Sequence, residues 1–198
     1  MGKIKTGSLG NSKRYRVMSD RMTANSANDK IVFTVGHSTR GLNDFILLMK
    51  ENRITEVVDV RTIPRSKHNP QFNSDYLKNA LIRNHILYKN LKELGGLRKQ
   101  TKNSINTFWK NNSFKGFADY MQTEDFKKGL NRLIGAATKR TIAIMCAEIL
   151  PWRCHRSLIA DILTANGFAV MDIIGHNNIL KHKINKHAII YRGSLAYR

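Results

Sequence analysis

Short apolar runs that each stop on a polar cluster, with stretches of helical period between them, constrain this chain more than any other feature. Ile31-Val32-Phe33-Thr34-Val35 closes on Gly36-His37-Ser38-Thr39, Ile54 to Val60 on Arg61-Thr62-Ile63-Pro64, and Thr141 to Met145 on Cys146-Ala147-Glu148. Ile86 to Tyr88 and Ala169 to Ile174 are two more such runs. Their lengths and β-branched content predict strands. Between them, Leu42, Phe45, Ile46, Leu48 and Met49 recur at helical spacing and predict a helix over Asn43 to Glu51. Ser74 can cap a second helix running to about Asn84, with Tyr76, Leu77, Ala80 and Leu81 on one face. Phe117 to Ala137 reads as helical in two pieces, and Cys154 to Asn166 as a helix ended by Gly167. Strands alternating with helices predict a single α/β domain, a mainly parallel sheet with helices on both faces in a Rossmann-like three-layer arrangement.

The domain fills residues 30–182. Residues 1–29 are rich in Ser, Asn, Lys and Arg and read as a disordered basic arm. Residues 183–198 read as a basic C-terminal extension, with a last short strand at Ala188 to Tyr191. Leu91 to Phe114 holds Gly95-Gly96 and little periodicity, which suits a lid, a binding loop or a disordered insertion.

Thirty-four Lys and Arg against fourteen Asp and Glu leave a formal charge of +20 over 198 residues. Only part of the excess lies in the first thirty residues, so the folded part is itself strongly basic. Such a chain attracts phosphate-bearing small molecules or nucleic acid. Basicity sets affinity for phosphates and carries no sequence recognition. No apolar run reaches the ~20 residues of a membrane helix, so no membrane partner is expected. The N-terminal stretch lacks the apolar core of a secretory signal, and with two cysteines it points to a reducing, cytoplasmic setting.

In a parallel sheet, ligands gather beyond the carboxyl ends of the strands. The clusters Gly36-His37-Ser38, Asp59-Arg61 and Cys146-Glu148 would then share one edge. His37, Asp59 and Glu148 are candidates for general acid and base chemistry, and a divalent ion between Asp59 and Glu148 is compatible with two carboxylates. Each carboxylate could equally serve as a structural partner of Arg61 or Arg156. Cys146 and Cys154 are lower-ranked candidate nucleophiles. Their spacing of eight, with His155 adjacent to Cys154, argues against a zinc site, and no metal is required. Between them Ala-Glu-Ile-Leu-Pro-Trp has no glycine, which argues against an anion-binding cysteine loop. Gly36, Ser38, Arg61, His155 and Arg156 are candidates for holding phosphate, the last two at the start of a helix where unpaired amides favour anions.

Val35-Gly36-His37-Ser38, Asp59-Val60-Arg61 with Pro64 and Ser66, Phe72, Leu94-Gly95-Gly96, Met145-Cys146-Ala147-Glu148, Cys154-His155-Arg156, and Ile159-Ala160 with Leu163 together resemble the prokaryotic family of unknown function numbered 488. The resemblance runs from Ile31 to about His182. It implies a compact α/β domain with a polar site built from these motifs, and no particular reaction. The basic arm and the Asn- and Lys-rich insertion after Gly96 stand apart from the shared pattern. The expectation is therefore an enzyme acting on a nucleotide or nucleic acid by hydrolase- or transferase-type chemistry, or alternatively a non-catalytic nucleic-acid-binding protein.

Overall fold

A computed structural model describes residues 30–198; the expected basic arm, 1–29, lies outside the described residues. The strands are β1 (Ile31–Gly36), β2 (Glu56–Asp59), β3 (Leu87–Asn90), β4 (Ile142–Cys146), β5 (Ala169–Gly175) and β6 (Asn178–Lys181). They form one sheet in the order β3-β2-β4-β1-β5-β6. The first five are parallel and β6 pairs antiparallel with β5 at the edge. The helices are α1 (Leu42–Glu51), α2 (Ser74–Arg83), α3 (Asn112–Tyr120), α4 (Glu124–Ala137) and α5 (Arg156–Ala165).

The three layers follow from the alternation of side chains along each strand. In β4, Ile142, Ile144 and Cys146 join one buried cluster, with Leu130 and Leu133 of α4 and Leu158 and Ile159 of α5. Ala143 and Met145 join the other, with Phe45 and Leu48 of α1 and Leu77 and Leu81 of α2. All five positions of β4 are buried, as a central parallel strand requires. The helical stretch from Phe117 to Ala137 divides as expected. Thr123 stops α3 from running on because its hydroxyl accepts the Phe126 N–H and caps α4. The α5 helix starts later than expected: a 3-10 turn at Pro151–Arg153 precedes it, and Cys154 lies in extended backbone between the two.

The chain between Gly96 and α3 is irregular, and buried hydrogen bonds tie it down. Asp119 accepts from the Thr101 N–H and hydroxyl, the Ser104 hydroxyl at 2.6 Å and the Asn106 amide at 2.7 Å. Asn106 in turn accepts the Tyr197 N–H at 2.9 Å. Burial raises the Asp119 pKa, but these donors outweigh it and leave the carboxyl below its usual range. The segment from 183 folds back on the body. β7 (Ala188–Tyr191) and β8 (Ser194–Tyr197) form a hairpin, and Leu195 and Tyr197 are buried in the core cluster that holds α4 and α5.

Candidate active site at the carboxyl edge of the sheet

The parallel register sets Gly36 of β1 opposite Cys146 of β4, and Asp59 of β2 opposite Met145. The three polar strand ends therefore meet at one edge. Beyond β1 the pairing continues, since the His37 N–H donates to the Cys146 carbonyl at 3.0 Å and the Ser38 N–H to the Ala147 carbonyl at 2.8 Å. A cavity of about 450 Å³ opens there, walled by His37, Ser38, Arg61, Arg65, Cys146 and His155 among others. A smaller hollow of about 250 Å³ adjoins it, lined by Glu148, Cys154 and Arg153 as well as Cys146 and His155. Gly96 and Leu97 border both.

Asp59 is fully buried and lines neither hollow. Its carboxylate accepts from Arg61 Nε at 2.9 and 3.1 Å, from Arg61 Nη2 at 2.6 Å, from the Arg61 N–H at 3.0 Å and from the Tyr88 hydroxyl at 2.7 Å. Asp59 and Glu148 therefore share neither hollow, and the Asp59 oxygens are taken by Arg61 and Tyr88. Asp59 instead aims Arg61. Arg61 also donates to the Phe72 carbonyl at 2.8 Å, and its Nη1 lies 3.2 Å from His37 Nε2. Because a guanidinium only donates, Nε2 of His37 accepts, and Nδ1 carries the proton that it donates to the Ser38 carbonyl at 2.9 Å. Burial chiefly, opposed by the Ser38 carbonyl and helped by the Arg61 charge, lowers the His37 pKa to about 4. His37 is therefore a neutral ring stacked on Phe72, with both nitrogens occupied, rather than a free base.

Arg156 differs most from expectation. It is 1% exposed and donates to the Thr34 hydroxyl at 2.7 Å and to the carbonyls of Glu148 at 2.6 Å and Ile149 at 3.3 Å. It holds the loop after β4 in place and is on the wall of neither hollow. Gly36 is absent from both walls too; it is required because the same loop passes over it. A Cβ on Gly36 would lie 2.0 Å from the Glu148 carbonyl oxygen and 2.5 Å from Ile149 Cα. Neither contact can relax, since Arg156 fixes that carbonyl. Gly36→Ala is expected to lose about 2–3 kcal/mol of stability in urea unfolding, whereas a change below about 0.5 kcal/mol would mean that the loop is free to move.

The cysteines are both free and buried. Cys146 lies close to Cys154, and the interaction of the two thiols raises the Cys146 pKa to about 12 and lowers that of Cys154 to about 6, where the Arg156 charge also favours a thiolate. His155 turns its ring back so that Nδ1 is 3.6 Å from its neighbour's sulfur, while Nε2 donates to the Val60 carbonyl at 3.1 Å. Adjacency in sequence therefore does not keep Cys154 and His155 apart. Glu148 reaches only the smaller hollow, where it accepts the Leu150 N–H at 3.2 Å.

A family model described as Domain of unknown function DUF488 matches residues 41–163, more than half of the chain. The protein belongs to this family. The match starts after β1 and ends in α5, so it is narrower than the stretch over which the motifs were read. It takes in Arg61, Arg65, Cys146, Cys154 and His155, whereas His37 and Ser38 of this DUF488 protein precede it. No curated protein and no solved structure matches the chain. Among the described residues, no helix is long and apolar enough to cross a membrane.

Arg65, Thr62, Asn69 and Leu97 also wall the larger cavity and were not singled out as site residues from the sequence. The signal for three of them was present: the polar run after β2, and the paired glycines before Leu97. Thr62 joins the two loops by donating to the Gly96 carbonyl at 2.8 Å.

Proposed function

We propose that this DUF488 protein is an enzyme acting on a nucleotide, free or at an end of a nucleic acid, bound in the cavity at the carboxyl edge of the sheet. The observation that carries the reading is the composition of one wall. Two arginines, a thiol and two imidazoles line the 450 Å³ cavity, and no carboxylate is among its lining residues. A phosphate is favoured there by Arg65 and by Arg61, whose partners account for four of its five N–H groups. The rim supports the rest of a nucleotide. Ile63 and Leu97 are large apolar side chains 62% and 80% exposed, and Leu97 is held at φ 56, a costly conformation for a bulky residue. Hydrolase- or transferase-type chemistry then falls to Cys146, Cys154 and His155, with Glu148 at the adjoining hollow, while Asp59 and His37 position Arg61. Free buried thiols fit work in a reducing compartment such as the cytoplasm.

Arg65→Ala should weaken binding of a nucleoside monophosphate, followed by isothermal titration calorimetry, by at least about tenfold with the fold intact, since a charge-assisted hydrogen bond is worth ~1.5–3 kcal/mol. The formal charge of +20 favours a second reading, non-catalytic binding of nucleic acid over the whole basic surface. That reading predicts oligonucleotide binding that falls steeply with salt, is indifferent to Arg65→Ala, and is accompanied by no turnover of nucleotides or oligonucleotides.

A further inference from the structure

We propose that Cys146, Cys154 and His155 bind one zinc ion whose fourth position opens toward the cavity. One ligand atom from each residue lies within 4.8 Å of the others, and among the described residues this group has three members. The geometry of the edge between Cys154 and His155 fits. Tetrahedral zinc with Zn–S of ~2.3 Å and Zn–N of ~2.0–2.1 Å sets a sulfur and a nitrogen about 3.5 Å apart, and Cys154 Sγ is 3.6 Å from His155 Nδ1. The other two edges are at most 4.8 Å, so reaching the ~3.8 Å expected between two zinc-bound sulfurs and the ~3.5 Å between sulfur and nitrogen takes shifts of no more than about 1.3 Å.

The protonation of the imidazole also suits a metal. A carbonyl only accepts, so Nε2 of His155 keeps its proton for Val60, and Nδ1 presents its lone pair to the two sulfurs. A backbone carbonyl on the far nitrogen is the usual support of a metal-bound histidine, fixing both tautomer and ring orientation. Gly96 backs the ring closely, since a Cβ there would lie 3.0 Å from Nδ1. Phe117 packs against its face with centroids 4.9 Å apart.

Two soft thiolates and one imidazole select zinc over magnesium or calcium. Three protein ligands beside a cavity match a reactive site with an open position rather than a closed structural one. All three residues line the smaller hollow, and Cys146 and His155 also line the larger one.

The inference deepens the enzyme reading by naming what stands beside the bound phosphate, and its test reads metal alone. The full reduced chain is dialysed against zinc, and metal content is measured together with a competition titration against a colorimetric chelator. About one zinc per chain is expected, and Cys154→Ser should raise the zinc Kd by at least about 100-fold at unchanged circular dichroism. If that variant does not fold, cobalt added to the wild-type chain decides: intense thiolate-to-cobalt absorption with tetrahedral visible bands supports the site. Lack of zinc uptake by the reduced chain, cobalt bound without thiolate absorption, or uptake that survives Cys146→Ser and Cys154→Ser together would overturn it. Arg65→Ala should bind zinc like the wild type, so failure of phosphate binding and failure of metal binding are separable.

Discussion

Asp59→Ala is expected to destabilise the protein by about 3–5 kcal/mol, a large share of the stability of an ordinary domain. The pair it breaks is almost wholly removed from water, with Asp59 at 0% and Arg61 at 6% side-chain exposure. Removing the carboxylate strands the Arg61 guanidinium with a carbonyl and a neutral ring nitrogen as its partners. It also takes the acceptor from the Tyr88 hydroxyl. Urea unfolding followed by circular dichroism measures the loss. Asp59→Leu combined with Arg61→Met should be clearly more stable than Asp59→Ala, because it removes the buried charge along with its partner. A loss under about 1 kcal/mol for Asp59→Ala would show that the pair is hydrated and that Arg61 is not held by it.

The second large effect is a dependence of stability on pH that belongs to His182. Its Nε2 is 2.8 Å from Asp161 and its Nδ1 3.4 Å from Asp172. Burial pushes its pKa down, but hydrogen bonds and charge from the two carboxylates prevail and raise it from 6.5 to about 9. The folded protein thus holds this proton more tightly than the unfolded chain. The stabilisation is complete below about pH 6.5 and is lost as pH rises through about 9, by up to about 3 kcal/mol. Cys154, with its lowered pKa, acts oppositely between about 6 and 9, so the effect must be read as a difference between variants. The stability gap between wild type and His182→Gln should be widest near pH 6 and shrink toward pH 10. A gap that does not vary with pH would show that His182 is neutral in the fold.

His182 sits in a chain of buried polar groups that reaches the candidate site. The Thr34 hydroxyl accepts from Arg156 and donates to Asp172 at 2.6 Å. Asp161 accepts from the Tyr197 hydroxyl at 2.9 Å and from the Asn185 N–H at 3.0 Å. The C-terminal hairpin is thereby connected through β5 and β1 to the loop that carries Glu148. Apolar periodicity gave no sign of this, because Thr34, Asp161 and Asp172 occupy core positions as polar residues. Their partners lie between 10 and 138 positions away in sequence.

The apolar runs and helical spacings were enough to read the fold class, since the alternation of β1, β2, β4 and β5 with helices leaves little but a parallel sheet covered on both faces. Parallel strands alone also put Gly36, Asp59 and Cys146 at one edge. The roles within that edge depended on directions that residue identity does not encode. Asp59 and Arg61 face each other as a closed pair, Arg156 turns inward to carbonyls, and His155 folds back onto the sulfur of its own neighbour. Sequence periodicity reports which face of an element is buried. Which buried polar atoms meet is settled only when loops and strands far apart in the chain pack against one another, because each such group must find a partner once water is excluded.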